Sequence, residues 1–472
     1  MRPVGGWANL TNLAGTALQV TGIPRAAHSW RSGNGLNKWL AVGTNTGIFV
    51  YGASVLTDIT EAGTVAGSGS TSGAALPYGS GLYGIGPYGG GGAAGGGGGA
   101  GQPLVIDENA TWVLDNFGDF LVGVLSSDGV VRKWDADLTT DMIAVAVGTE
   151  VPVSNRGVVV TPERFLLVLG ANGNPRMVKW PNQETMDEFT ASATTTAGEF
   201  ELATNGRLMT GKRTTRETLL FTDTDLWAAI FIGGTLIYSF EPRGADCGII
   251  SPNAAGVVGD GAMWMSDSGF FRYDGSVSKI PCEVFDYVFT RLNRAQKLKI
   301  AAITNAQFGE ITWQYPSVAS QEIDSYVTYN WLHDIWYFGS LSRTCGVDAQ
   351  VFPYPLLMDA DGYIYEHERG SLRTGETVFA ESGPFEIGDG GNTVMMRHLY
   401  PDERTLGDVT ITLYSAFHPT GPETTNGPYV GGRPTGVRVT GRQVRVRLTE
   451  AVTNTDWRVG TYRADVVPAG ER

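Results

Sequence analysis

One pattern returns along this chain and restricts its fold more than any other feature. An apolar run meets a polar turn carrying Asp, Asn or Gly, and a second apolar run follows, ending in an aromatic and often an acidic residue. Lys38–Gly52 (KWLAVGTNTGIFVYG), Asp119–Asp135 (DFLVGVLSSDGVVRKWD) and Arg164–Pro181 (RFLLVLGANGNPRMVKWP) are the first three copies. Thr218–Phe240 is longer, Gly261–Gly275 (GAMWMSDSGFFRYDG) is the cleanest, and Ser325–Gly339 and Pro355–Gly370 complete the series. Each reads as a β-hairpin whose turn draws positive φ from Gly or Asn. Side chains alternate, Phe271 and Tyr273 against Phe270 and Arg272, so one face of each pair is expected in the core and one in solvent. Seven such hairpins suggest radial repetition, the β-propeller answer to unpaired strand edges, with six or seven irregular blades. A β-sandwich uses the same hairpins, but repeated copies ending in an aromatic favour blades.

Composition agrees. The 472 residues include 65 glycines and 10% aromatics but only 17% charged residues, which suits short strands and turns better than helical bundles. Leu226–Phe240 is apolar yet too short to span a bilayer, and Gly233-Gly234 at its centre points to two strands and a turn. The N-terminus lacks the apolar core of a secretion signal, so a soluble protein made in the cytoplasm is expected. Three cysteines, Cys247, Cys282 and Cys345, are too few and too scattered for a disulfide framework.

The expected division is an N-terminal segment, 1–37, closing or bracing the propeller; the propeller at 38–380; and a β-sandwich-like interface domain at 381–472. A glycine-rich insertion at 62–106 separates the first two hairpins, with no charge between Glu61 and Asp107. It holds G-x-G-x-x-G twice, but no helix can follow in GGAAGGGGGAGQP, so a nucleotide loop is rejected. It reads either as a flexible loop or as a backbone-rich arm on a neighbouring subunit, anchored by Tyr78, Tyr83 and Tyr88. A helix is expected in CEVFDYVFTRLN. In TGVRVTGRQVRVRLTE the alternation of Val437 and Val439 slips before Val444, Val446 and Leu448, which predicts a β-bulge at Gly441.

Chemistry is sparse. The five histidines form no H-x-x-x-H or H-x-H pair, so no metal site is expected. His367 reads as an exposed strand end, His333-Asp334 as a turn, and no nucleophile elbow occurs. Neither a catalytic residue nor a cofactor is expected. The one basic stretch begins at Arg433, with eight arginines against four acids, +4, so the rest of the chain carries −18 and the whole −14. Within it Arg438, Arg442, Arg445 and Arg447 are candidate interface residues: DNA contact is one reading, an acidic patch of another subunit the other.

The chain resembles tail hub proteins of short-tailed phages, of the packaged-DNA-stabilisation type. The resemblance runs through RPVGGWANLTN (Arg2–Asn12), GIPRAAHSWRSGNGLNKWLAVGTNTGIFVY (Gly22–Tyr51), YGSGLYGIGPYG and WVLDNFGDFLVGV. It continues in VVVTPERFLLVLGANG, CGIISPNA, MWMSDSGFFRYDG, PCEVFDYVF, FGEITWQYPS and DSYVTYN, and ends in GRQVRVRL and DWRVGTYRADVVPAGER. It implies a virion protein with a β-propeller in each subunit, assembled as a six-fold ring below the portal and its adaptor. Such a nozzle or stopper continues the DNA channel and helps retain packaged DNA. The implied partners are copies of the chain, the adaptor, other tail proteins, tail fibres, and genomic DNA passing without sequence-specific binding. No catalytic residues come with the family. The alternative is a carbohydrate-binding or carbohydrate-cleaving propeller, whose paired carboxylates a sequence does not reveal.

Overall fold

The structure is a computed structural model and describes residues 5–64, 110–145, 150–234, 236–373, 377–387 and 392–471. Its regular elements are nearly all strands, with one α-helix among the described residues, Phe285–Arg291, inside the segment expected to be helical. The chain forms two compact units, Asn9–Tyr365 and Met1–Ala8 with Glu366–Arg472.

In the first unit every hairpin of the repeat is built into a four-stranded antiparallel sheet. Lys38–Thr44 and Ile48–Gly52, for example, are flanked by Pro24–Arg31 and Val55–Asp58. Among the described residues seven four-stranded sheets follow one another, and their first strands are Pro24–Arg31, Trp112–Phe117, Gly157–Val160, Leu208–Arg213, Ala255–Val258, Ala301–Asn305 and Cys345–Val347. Each first strand lies beside the next, and Cys345–Val347 lies beside Pro24–Arg31, so the sheets close around an axis in the manner of a β-propeller. The seventh sheet takes its outer strand, Trp7–Asn9, from the start of the chain. Because Pro24–Arg31 is the inner strand of the first sheet, the sheets reach into the segment 1–37 set apart above, while the longer stretch of the second unit begins at Glu366, ahead of 381.

The expected division of each hairpin into a buried and a solvated face is corrected. Gly157–Val160 and Leu166–Leu169 are buried at every position, and Phe270, Phe271 and Tyr273 are all buried, with Arg272 alone exposed. The reason is geometric: the central strands of each sheet are covered by a neighbour on both faces and so carry continuous apolar runs, while outer strands such as Ile335–Ser340 stay largely exposed. Between the first two sheets Trp39 and Trp134 meet edge to face at 5.3 Å, with Trp30 against both. Indole N–H groups bond across the seams: Trp112 donates to the Thr44 carbonyl at 3.0 Å and Trp313 to the Ala254 carbonyl at 3.0 Å. Gly43 lets Trp112 approach, since a Cβ there would stand 2.4 Å from its ring.

The turns follow the expected chemistry in part. Gly233 and Gly234 adopt φ of 68° and 70° between Leu226–Phe231 and Tyr238–Gly244, as the Gly-Gly reading requires. The first hairpin needs no positive φ, because Thr44 Oγ1 accepts the N–H groups of Thr46 and Gly47. In the sixth sheet the left-handed residue is Asp334, φ 54°.

The second unit is a two-sheet sandwich. One sheet orders Phe379–Glu381, Gln443–Glu450, Val409–Ala416 and Thr424–Val430; the other orders Thr435–Gly441, Asn392–Pro401 and Tyr462–Glu471. The slip predicted as a β-bulge at Gly441 is a change of sheet. Val437 and Val439 face the common core from one sheet and Val444 and Leu448 from the other. Where a chain crosses between facing sheets, the connection, here Arg442 alone, resets which parity points inward, and that produces the same shift in the sequence pattern. His367 is also corrected: it is buried and stacks on Trp7 at 5.4 Å.

Candidate functional site: the propeller axis

The inner strands bring together residues far apart in sequence. On the axis side they carry Ala26 and Ala27, Ala255 and Gly256, Ala301 and Ala302, and Gly346. These small side chains leave a cavity of about 260 Å³, into which Arg25, His28, Lys212, Asn253 and Asp348 also reach.

Two charge networks flank it. Arg25 clamps Glu322 with both guanidinium nitrogens at 2.8 Å, and Lys299 Nζ donates to the same carboxylate at 2.5 Å and to the Gln321 carbonyl at 2.6 Å. Burial pushes the Glu322 carboxyl up, but Arg25 and Lys299 outweigh it and hold the group below the ordinary carboxylate value. At the second network Asp115 Oδ1 accepts the Asn116 N–H at 2.8 Å and Oδ2 the Val160 N–H at 2.8 Å. His28 donates from Nε2 to Asn116 Oδ1 at 3.0 Å, an acceptor fixed by the Asn116 amide donating to Gly118. Arg213 and His28 each stand 4.0 Å from Asp115.

Burial pulls His28 below its usual value; Asp115 and Asn116 oppose that, while Lys212 and Arg213 reinforce it. Burial also lowers the Lys212 ammonium, against the pull of Asp115. Asn253 ties the axis together, its amide donating to the carbonyls of Arg25 at 3.1 Å and Trp112 at 3.3 Å. Asp348 is occupied by the N–H groups of Ala306 and Ala349. The carboxylates near the axis are therefore engaged by cations and backbone amides. Among the described residues no group of three His, Cys, Asp or Glu side chains is arranged to hold a metal ion.

The residues singled out from sequence are elsewhere. Tyr78, Tyr83, Tyr88 and the glycine-rich segment lie outside the described residues. The arginine stripe is divided between the two sheets of the sandwich. Arg438 is exposed on Thr435–Gly441, whereas Arg445 and Arg447 share a face of Gln443–Glu450, and Arg442 sits at the crossing. Arg445 is bound by Glu381 and Glu423 and lies over Tyr414; Arg447 faces Glu381 and lies over Phe379. These two are largely neutralised within their own unit, which leaves Arg438 as the exposed member. Sequence reasoning missed His28, Asp115, Lys212 and Glu322, whose only local signal is a charged side chain within or beside a strand of small and apolar residues.

No known protein family and no curated protein sequence matches the chain. Solved structures overlap it loosely. A streptogramin B lyase shares 8% identity over 74% of this chain and 95% of its own, with a TM-score of 0.40. PorZ, a surface component of the type-IX secretion system of Porphyromonas gingivalis, shares 7% over 92% of this chain and 46% of its own, at 0.39. An exo-β-1,3-galactanase from Phanerochaete chrysosporium shares 11% over 97% and 99%, at 0.31. Overlaps this loose say nothing about activity. No helix among the described residues is long and apolar enough to cross a membrane.

Proposed function

We propose that this protein is a structural component of a phage tail, assembling as a ring that continues the DNA channel and helps retain the packaged genome. The observation that carries the reading is where the resemblance falls. VVVTPERFLLVLGANG spans the inner pair of the third sheet, MWMSDSGFFRYDG the central pair of the fifth, PCEVFDYVF the helix, DSYVTYN a strand of the sixth, and GRQVRVRL a strand of the sandwich. The stretches that carry the resemblance are framework in both units rather than one ligand-facing loop, which suits likeness of a whole architecture. Two further features support assembly. The outer strand Ile335–Ser340 exposes Ile335 (55%) and Phe338 (41%) beside exposed Leu332, an edge able to meet another chain. Engaged carboxylates at the axis suit a scaffold better than a glycosidase, which needs one protonated and one ionised carboxyl facing the sugar.

Sedimentation and negative-stain microscopy of the purified protein, with and without its adaptor, test the reading. Rings of about six copies are expected. A monomer in both conditions, or turnover of a glycan, refutes it. Deleting Gly86–Gly101 should lower ring yield, and normal assembly of that variant counts against the arm.

A further inference from the structure

The axial cavity is unbalanced in charge at one wall. Lys212 points into it from Leu208–Arg213 with no ion-pair partner within 4.0 Å among the described residues, and Asp115 is the one anion that influences it. That same carboxylate faces Arg213 and His28 and already accepts two backbone N–H groups. Two cations and an imidazole thus share one anion whose lone pairs are partly taken. Elsewhere around the cavity Arg25 shares Glu322 with Lys299, and the carboxylate of Asp348 accepts two backbone N–H groups. The small residues of the inner strands keep the space in front of Lys212 and His28 open. Field lines from charges in a concave, poorly solvated site concentrate there, so an anion gains more than at an open surface.

We propose that this cavity binds a small molecule bearing a phosphoryl or carboxylate group, with Lys212 as its charge partner and His28 as a second donor. Burial, Lys212 and Arg213 hold the His28 imidazole below its usual value, with Asp115 and Asn116 opposing. A bound anion reverses that balance, so His28 takes up a proton on binding and becomes a donor at Nδ1 as well. Affinity then strengthens as pH falls through the titration of His28. The site is independent of the assembly reading: rings without anion binding, or binding without rings, separate the two.

The test is calorimetric titration of the purified full chain at constant ionic strength, with inorganic phosphate in one arm and acetate in the other, alongside NMR of the histidine Cε1 resonances. Saturable binding in at least one arm is expected, with proton uptake and a shift of the His28 resonance. Phosphate alone identifies a phosphoryl ligand, acetate alone a carboxylate. Lys212→Gln should weaken binding at least about tenfold, while Lys279→Gln, on the outer strand Val277–Ile280, leaves it unchanged. No saturable response in either arm, or an unmoved His28 resonance at saturation, overturns the proposal in the wild-type protein, whatever the variants do. Equal binding by a folded Lys212→Gln overturns it as well.

Discussion

Replacing Glu322 with glutamine isolates the carboxylate that ties Arg25 to Lys299. Glu322 is the carboxylate shared by Arg25 and Lys299, whose side chains are 1% and 0% exposed, while its own is 27% exposed. Glutamine keeps one acceptor and removes the charge, leaving two cations facing each other in a poorly solvated wall. Breaking a buried pair from one side costs about 3–5 kcal/mol, and the partial exposure of Glu322 trims this to about 2–4 kcal/mol. Over the roughly 360 residues of the first unit, an unfolding entropy of about 2.1 cal/mol/K per residue turns that loss into a Tm drop of about 3–5 °C. Equilibrium urea unfolding followed by tryptophan fluorescence measures it directly, with an unchanged m-value. Lys299→Met added to Glu322→Gln removes one of the two stranded cations and should recover part of the loss. The pH profile supplies a second check. The folded pKa of Glu322 lies below its unfolded value, so its contribution is complete above about pH 4.3 and is lost as pH falls through the lower folded value. The gap between wild type and Glu322→Gln should therefore hold from pH 8 to about 5 and close in acid. Equal urea midpoints at pH 7, or a gap that persists unchanged to pH 3, would refute the reasoning.

Gly43→Ala should cost about 2–3 kcal/mol, because its Cβ would stand 2.4 Å from the Trp112 ring and push the indole off the Thr44 carbonyl; a urea midpoint equal to wild type contradicts the packing described. Glu450→Gln should destabilise the sandwich by about 3 kcal/mol, since Arg373 and Glu450 form an ion pair at 3.5 Å with side chains 3% and 0% exposed; hydrogen exchange confined to that unit reads it. Burial pushes the thiols of Cys247 and Cys282 up to about 11 and Cys345 to about 12, so none should react with a disulfide reagent at pH 8 until urea unfolds the chain. Arg438→Glu, at an exposed strand position, should leave stability within about 0.5 kcal/mol yet reduce ring yield in sedimentation; an unchanged yield removes Arg438 from the interface.

The hairpins were legible because a strand's period of two and its turn residues are local properties. Gly233-Gly234 between two apolar runs needs no tertiary information to be read as a turn, and PCEVFDYVF shows its helical spacing unaided. The arginine stripe was legible as composition and misleading as geometry. Neighbours in sequence, Arg438 and Arg445, fall on opposing sheets, and Glu381 and Glu423 meet Arg445 only once the strands have paired.

Other matters were decided by closure alone. Whether a hairpin face meets solvent or another sheet depends on what stands beside it, so Phe270 and Phe271 on opposite faces are both buried. The axial groups depend on closure more completely still: His28, Asp115 and Lys212 belong to three different sheets, and nothing in the residues around any one of them encodes the other two. Local chemistry selected strand, turn and apolar run, because those depend on φ, ψ and nearest neighbours. The charge balance at the axis arose only when the inner strands came together and desolvated side chains that the chain itself keeps scores of residues apart.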